Sequence, residues 1–264
     1  MTEIPIYQID AFTNRPFTGN PAAVCPLETW LPDETLSSIA AENNLSETAF
    51  FVRRGDRFDL RWFTPTVEVD LCGHATLASG FVVLERLEPT WDKVSFCTRG
   101  GELVVKRAGG KWSLELPAKP PLPTIVTGDL VEALGQRPTF AIQARDLVAV
   151  YDDAHVVRRL EPDMARVAAL PVFAVAVTAP GSHTDSDVDF VSRFFAPAKG
   201  VPEDPVTGSL HCTLVPYWAN RLGREHLRAR QVSARGGELE CTLMGDRVEL
   251  TGGAVMVLEG RMRF

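Results

Sequence analysis

Short apolar-rich runs with strand-like alternation recur along the 264-residue chain, and they predict β-strands. These runs are residues 4–12, 48–52, 58–63, 111–117, 173–179 and 247–253. Apolar positions follow helical spacing at 33–43, 75–87 and 209–222. Pro216 lies inside the last of these helices and is expected to kink it. Few strands are separated by helices long enough for a βαβ series, so the pattern predicts an α+β fold.

The same series of motifs occurs twice. Phe63 lies nine residues before Cys72, and Phe195 lies nine residues before Asp204. The pentapeptide RGGEL follows in each half, starting at Arg99 and again, 136 residues later, at Arg235. A period this long indicates domain duplication and not a solenoid. Because RGGEL is duplicated and lacks a phosphate-binding GxGxxG pattern, we interpret it as a structural turn.

A proline-rich segment at 116–128 separates the two copies. Prolines disfavour regular elements, so this segment is expected to be a linker. We therefore predict two pseudo-symmetric domains, residues 1–118 and 119–264. The composition, with 45% hydrophobic and 23% charged residues, is ordinary for globular domains of this size.

Charge and cysteine content argue against several classes of protein. The net charge is −7 and there is no basic run, so a nucleic-acid partner is not expected. No stretch reaches the roughly 18 uncharged apolar residues of a membrane span, and the N-terminus does not resemble a signal peptide. Five scattered cysteines without a CxxC pair fit free thiols in a reducing compartment. We expect a cytoplasmic protein that binds no membrane.

The motifs CGHAT and DPVTGS carry the candidate chemistry. Each places a possible proton carrier, Cys72 or Asp204, before small residues at the start of a predicted helix. The first turn of a helix offers unbonded N–H groups and the positive end of the dipole, which can hold a carboxylate or an enolate oxygen. Gly73 and Gly208 let a substrate approach the backbone closely. This pattern favours removal and return of a proton beside an acid group.

Glu47, at the entrance to the predicted strand 48–52, is a third candidate. Partial desolvation of a carboxylate there would raise its pKa toward working pH. Each candidate also has a structural alternative: Glu47 as a cap or solvated residue, Cys72 as a small buried hydrophobe, His74 as a cap, and Asp204 as an N-cap before Pro205. The five histidines show no H-x-x-x-H spacing, so no metal site is expected.

Four motifs in fixed order resemble the PhzF-like family, named after a phenazine-biosynthesis isomerase. They are GNPAAV (19–24), NLSETAF (44–50), FTP…LCGHATLA (63–78) and EDPVTGS (203–209). The resemblance covers essentially the whole chain. It implies the diaminopimelate-epimerase-like fold, in which each of two domains wraps a sheet round a central helix and the active site lies between them. It also implies a homodimer, a small carboxylic-acid substrate and no cofactor.

The resemblance also implies roles for individual residues. The family's general acid/base corresponds to Glu47, and its substrate-holding residues correspond to Gly73, His74, Asp204 and Ser209, with Asn20 and Gly208 as further pocket candidates. In epimerases of this fold each half contributes a cysteine. Cys72 matches the first, but Asp204 stands in the second half. Two-thiol racemization is therefore disfavoured, and Cys72 is interpreted as a passive or accessory pocket residue.

The sequence thus predicts a cofactor-independent isomerase in which Glu47 moves a proton within a small carboxylic acid. Two alternatives stay open. One is an amino-acid or hydroxy-acid racemase or epimerase that uses Cys72 with Asp204 or Glu47. The other is a non-catalytic binding protein on the same fold. Family membership does not fix the substrate, because one fold serves many compounds.

Overall fold

A computed structural model describes residues 2–264 and confirms the α+β class. Two compact units share the chain. Unit 1 comprises the chain up to Leu116 together with Leu250–Phe264, and unit 2 comprises Pro117–Glu249. Each unit is described separately below.

Unit 1 wraps a mixed sheet round a buried helix. Its strands are β1 (Glu3–Ala11), β2 (Asn20–Leu27), β3 (Glu47–Arg54), β4 (Arg57–Phe63), β5 (Glu68–Val69), β6 (Lys93–Thr98), β7 (Gly101–Ala108) and β8 (Lys111–Pro117). Its helices are α1 (Asp33–Asn43) and α2 (Gly73–Val82), and a π-helical turn (Val83–Leu87) extends α2. The helix predicted at 75–87 therefore starts earlier and changes its hydrogen-bonding period.

Helix α2 is buried along its whole length, and its small residues allow this. A Cβ atom added at Gly80 would lie only 2.4 Å from Cγ1 of Val105 on β7. The helix therefore rests on the sheet more closely than a residue with a side chain at this position permits.

Unit 2 repeats this plan with more helices. Its strands are β9 (Leu122–Thr124), β10 (Phe140–Gln143), β11 (Leu147–Val150), β12 (Val175–Pro180), β13 (Phe190–Ala196), β14 (Val201–Asp204), β15 (His226–Gln231) and β16 (Gly237–Met244). Its helices are α3 (Gly128–Leu134), α4 (Ala154–Arg159), α5 (Met164–Ala169) and α6 (Gly208–Leu222), with 3₁₀ turns at His183–Asp185 and Pro197–Lys199.

Strand pairing confirms the pseudo-symmetry. The pairs β1–β2, β3–β4 and β6–β7 are antiparallel, as are their counterparts β10–β11, β12–β13 and β15–β16. The pairs β2–β3 and β4–β6 are parallel, as are β11–β12 and β13–β15. Both RGGEL copies lie where a hairpin turns into its second strand, which confirms the structural role predicted for them.

The last two strands, β17 (Arg247–Gly252) and β18 (Ala254–Arg263), return the chain to unit 1. β18 runs antiparallel to β1, from the pair Glu3–Arg263 to the pair Ala11–Ala254. The compact units therefore differ from the predicted ranges 1–118 and 119–264, because the C-terminal strand completes the first sheet. The repeat pattern carried no signal for this pairing.

The segment expected to be a linker is held in place within unit 2. It contains β9, and the Lys119 backbone N–H donates to the Cys212 carbonyl at 2.8 Å. Helix α6 continues past Pro216, whose ring nitrogen has no hydrogen to donate to the Cys212 carbonyl. Lys119 therefore takes the place of the missing helical donor. Among residues 2–264, no helix has both the length and the apolar character needed to cross a membrane.

Candidate active site

Three elements of unit 1 bring four predicted residues together. Asn20 opens β2 and Glu47 opens β3, and these strands are parallel neighbours with Ala22 opposite Glu47. Cys72 is the N-cap residue of α2, and His74 lies in the first helical turn.

His74 is the centre of this group. Its Nε2 lies 3.2 Å from Oε2 of Glu47, although the two atoms lack the alignment of a hydrogen bond. Its Nδ1 lies 3.1 Å from Nδ2 of Asn20 and 3.5 Å from Sγ of Cys72. The side chain of His74 is 3% exposed and that of Glu47 is 17% exposed, so the carboxylate forms the more open side of the group.

The imidazole of His74 is neutral. Burial lowers the pKa of His74 to about 3, although the Pro21 backbone carbonyl acts in the opposite direction. With the Asn20 amide nitrogen assigned as the donor, the ring lone pair is on Nδ1 and the proton on Nε2. In this tautomer His74 presents a buried N–H beside the Glu47 carboxylate, and within residues 2–264 the Nε2 atom has no aligned hydrogen-bond partner.

Glu47, Cys72 and His74 also resemble a partial metal site. One ligand atom from each lies within 4.8 Å of the others. The donor types suit Zn²⁺, but structural zinc sites use four protein ligands and catalytic sites use three around an open position. Cys72 and Glu47 approach different nitrogens of His74, so the three donors do not face one point as they stand.

In unit 2, Asp204 ends β14 and Thr207 is the N-cap residue of α6. The Thr207 hydroxyl donates to Oδ2 of Asp204. Gly208 and Ser209 follow as the first two helical residues. Asp204 therefore orients the cap residue instead of capping the helix itself, which makes the N-cap alternative for Asp204 and Pro205 wrong.

The two helix starts also correct the pairing of Cys72 with Asp204. Cys72 and Thr207 occupy the same N-cap position before a glycine, whereas Asp204 lies three residues ahead of the cap. In the repeat, the Thr207 hydroxyl is therefore the counterpart of the Cys72 thiol. Cys212, further along α6, does not replace it, because burial raises the pKa of its thiol to about 12.

Gln231 was missed by sequence reasoning. This fully buried side chain at the end of β15 accepts a hydrogen bond from the Thr207 backbone N–H at 2.9 Å. Its amide nitrogen donates to the Asp204 carbonyl at 2.7 Å and to the Thr207 hydroxyl at 3.2 Å. Gln231 thus fixes the loop that carries Asp204. A glutamine at a strand end gives no sequence signal for this role.

Arg145 was missed as well. It lies just before β11 and donates from Nη2 to Oγ of Ser209 at 3.1 Å, although 64 residues separate the two. The pairing depends on the fold, so neither residue's neighbours in the sequence indicate it.

The predicted residues do not line one open cavity of unit 2. That cavity, of about 430 Å³, is lined by residues 134–136, 155, 156 and 159–161. None of these belongs to either helix start.

The mixed sheet is duplicated, and in each copy a helix begins at a cluster of acid, imidazole or hydroxyl groups. This arrangement defines an α+β protein of diaminopimelate-epimerase-like fold. The phenazine biosynthesis-like family model matches residues 9–260. The chain therefore belongs to the PhzF family, as the motifs predicted.

Known proteins agree in length as well as in sequence. An uncharacterized isomerase of Pseudomonas aeruginosa is 50% identical over 260 residues, which is 98% of this chain and 99% of that protein. The crystal structure of a PhzF-family protein from Enterococcus faecalis is 42% identical, with a TM-score of 0.95 over 100% of both chains. A predicted epimerase from Pseudomonas aeruginosa, 17% identical, has a TM-score of 0.75 over 99% of both chains and shows the shared fold alone.

Proposed function

We propose that this protein is a cofactor-independent isomerase in which Glu47 moves a proton between two positions of one small carboxylic acid. The observation that carries the proposal is the approach of the Glu47 carboxylate to the buried, neutral His74. Family membership and the isomerase name of the Pseudomonas relative support the reaction class.

In the proposed reaction Glu47 is the base. A C–H bond of the substrate breaks, an O–H bond forms on the Glu47 carboxylate, and the electron pair enters the conjugated system of the acid. Glu47 then returns the proton to a different carbon, and the electron pair closes the new C–H bond. No electrons are gained or lost, so an isomer is the only product.

His74 would stabilise the charge that develops between these steps. Its Nε2–H can donate to an oxygen of the substrate that gains negative charge. A neutral imidazole suits this role, because it donates a hydrogen bond without giving up its proton. Asn20 supports the role by holding Nδ1 at 3.1 Å.

Binding of the carboxylate is assigned to the helix starts. Gly73 and Gly208 begin α2 and α6, and the first-turn N–H groups of a helix attract anions. Ser209 adds a hydroxyl, and Asp204 keeps Thr207 and the loop in position. The expectation that both groups of residues serve one substrate comes from the family resemblance.

Proton exchange is the experiment that tests this function. Wild type, Glu47→Gln and the exposed control Glu42→Gln would be incubated in deuterated buffer with cyclic and amino carboxylic acids, including a dihydro-anthranilate-type acid. Deuterium should enter one acid with wild type and with Glu42→Gln only. Signals at a new position indicate isomerization, and label at an unmoved centre indicates epimerization. Unchanged exchange with folded Glu47→Gln contradicts the proposal, and silence with every acid favours the binding-protein alternative.

One observation favours the epimerase alternative. Sγ of Cys72 lies 3.5 Å from Nδ1 of His74, which could accept the thiol proton. The hydroxyl of Thr207 at the corresponding cap is too weak an acid to act as the second base of a thiol pair. Cys72 would then need Asp204 or Glu47 as its partner.

The remaining expectations belong to the same proposal. The family resemblance supports a homodimer, and the cysteine pattern supports a cytoplasmic location. The two-domain division near residue 118 is likewise proposed as the functional division of the chain.

A further inference from the structure

We infer that Arg145 is the specificity-determining residue that selects a carboxylate in the proposed site, where its guanidinium acts together with the Ser209 hydroxyl. This inference rests on the proposed function and assigns the acid group of the substrate to two named side chains of unit 2.

Asp146 holds the guanidinium in one plane. Nε of Arg145 donates to Oδ1 of Asp146 at 2.9 Å, and Nη2 donates to Oδ2 at 3.0 Å. The Asp146 side chain is 2% exposed, so the pair is anchored from the protein side. A bidentate pair of this kind fixes both position and orientation.

Two donors of this cluster are available to bind a ligand. Nη2 of Arg145 also donates to Oγ of Ser209, so the Ser209 hydroxyl proton must be donated elsewhere. Within residues 2–264, neither this proton nor the Nη1 group of Arg145 has a hydrogen-bond acceptor. Adjacent donors on linked groups match a ligand with two oxygens on one carbon, which is a carboxylate.

The local charge has the required sign. The guanidinium lies over the Phe173 ring at 4.3 Å, and Nζ of Lys199 lies over the same ring at 5.2 Å. Phe173 is 43% exposed, so this cluster reaches the surface of unit 2. Asp146 neutralises one of the two cations, and the second leaves a net positive charge for an anionic ligand.

The test compares an acid with its amide. The probes are 2-aminobenzoate and 2-aminobenzamide, two fluorescent compounds that differ only in the charged group. Wild type should bind the acid about tenfold or more tightly than the amide, which is the scale of a charge-assisted hydrogen bond. Arg145→Gln should bring this ratio close to one while leaving the affinity for the amide unchanged.

Matched variants keep the test independent of folding. Because Arg145→Gln leaves Asp146 buried without its cation, the double variant Arg145→Gln/Asp146→Asn restores a neutral pair. Arg145→Lys keeps the charge but loses the fork, and should recover only part of the preference. Arg137→Gln, an exposed arginine of the same unit, should behave as wild type.

Each result is decisive. A ratio that stays high in the double variant overturns the inference, and so does a wild type without preference for the acid. The binding ratio is measured without proton transfer, so it does not depend on the rate of exchange. Exchange retained by Glu47→Gln would therefore contradict the proposed function alone, and an unchanged ratio in the Arg145 variants would contradict this inference alone.

Discussion

His74 and Glu47 approach to 3.2 Å between Nε2 and Oε2, although they come from a helix start and a strand start that are 27 residues apart. The imidazole is buried and neutral, and the carboxylate is the more exposed partner. The pair therefore combines an acceptor for a proton with a fixed hydrogen-bond donor. An enolate-like intermediate needs both groups, because one takes the proton and the other stabilises the negative charge.

His74→Gln should slow deuterium exchange into the substrate by about 100-fold or more, the scale of losing one preorganised donor. Exchange should stay above that of Glu47→Gln, because the base is still present. Both rates would be measured by NMR with the same acid. His226→Gln, at an exposed histidine on β15, serves as the control. Equal rates for His74→Gln and wild type would show that His74 has no part in the reaction.

Cys72→Ala should keep most of the exchange activity, because Glu47 and not the thiol is the proposed base. In the epimerase alternative the same variant should lose nearly all of it. The matched variant Cys25→Ala removes another buried thiol, which lies on β2. A loss with Cys72→Ala that Cys25→Ala does not share would favour the alternative.

Gln231→Ala should reduce both stability and activity. It leaves the Thr207 N–H and the Asp204 carbonyl without their side-chain partner, at a cost of about 1–3 kcal/mol per buried group in the free energy of unfolding. Urea unfolding measures the first effect and deuterium exchange the second. The exposed Gln136→Ala should leave both unchanged. Full exchange activity in Gln231→Ala would show that the reaction does not depend on the position of Asp204.

The protein should lose stability as the pH falls below about 6.5, the ordinary pKa of histidine. Burial lowers the pKa of His211 to about 4, although its hydrogen bond to Thr207 acts in the opposite direction. Between these two values the unfolded state binds a proton that the folded state does not, so unfolding becomes easier as the pH falls. At pH 4 this residue alone costs roughly 3 kcal/mol.

His211→Gln should therefore flatten the dependence of stability on pH. The measurement is urea unfolding of wild type and variant at pH 7 and pH 4.5. The difference between the two proteins isolates His211 from carboxylates that also weaken the fold in acid. A parallel loss in both would contradict the prediction.

Gly80→Ala should destabilise unit 1 by about 1–3 kcal/mol, because the new methyl group overlaps Val105. Thermal unfolding measures the effect. Gly128→Ala is the control, since nothing lies within 4 Å of a Cβ at that helix start. Combining Gly80→Ala with Val105→Ala should recover part of the loss, whereas equal stability of the single variant and wild type would show that α2 has room to move.

Local patterns predicted the parts of the fold that depend on local interactions. Helix α1 has the predicted bounds, 33–43, because the helical spacing of its apolar residues is a local signal. The repeated RGGEL predicted two structural turns, and each copy lies in a hairpin, because turn chemistry is local. The pairing of β18 with β1 was not predictable in this way, since it joins residues from opposite ends of the chain.

The site follows the same rule. Motifs identified Glu47 and His74, which the fold does bring together. They aligned Asp204 with Cys72, because each lies nine residues after a phenylalanine. The loop before Thr207 contains extra residues, so this spacing does not mark the same position at the two helix starts. Arg145 and Gln231 act through contacts across the fold, so only the three-dimensional structure connects them with Ser209 and Thr207.

The return of the chain to its first sheet has a consequence for synthesis on the ribosome. Unit 1 cannot close its sheet until residues 254–263 have been translated, which happens after all of unit 2 has been translated. Unit 2 is contiguous in sequence and can complete its fold while β1 still waits for its partner. The edge of β1 is thus open to wrong pairing during that interval. The sheet of unit 1, which carries the carboxylate–imidazole pair, is therefore the sheet whose last strand is translated last.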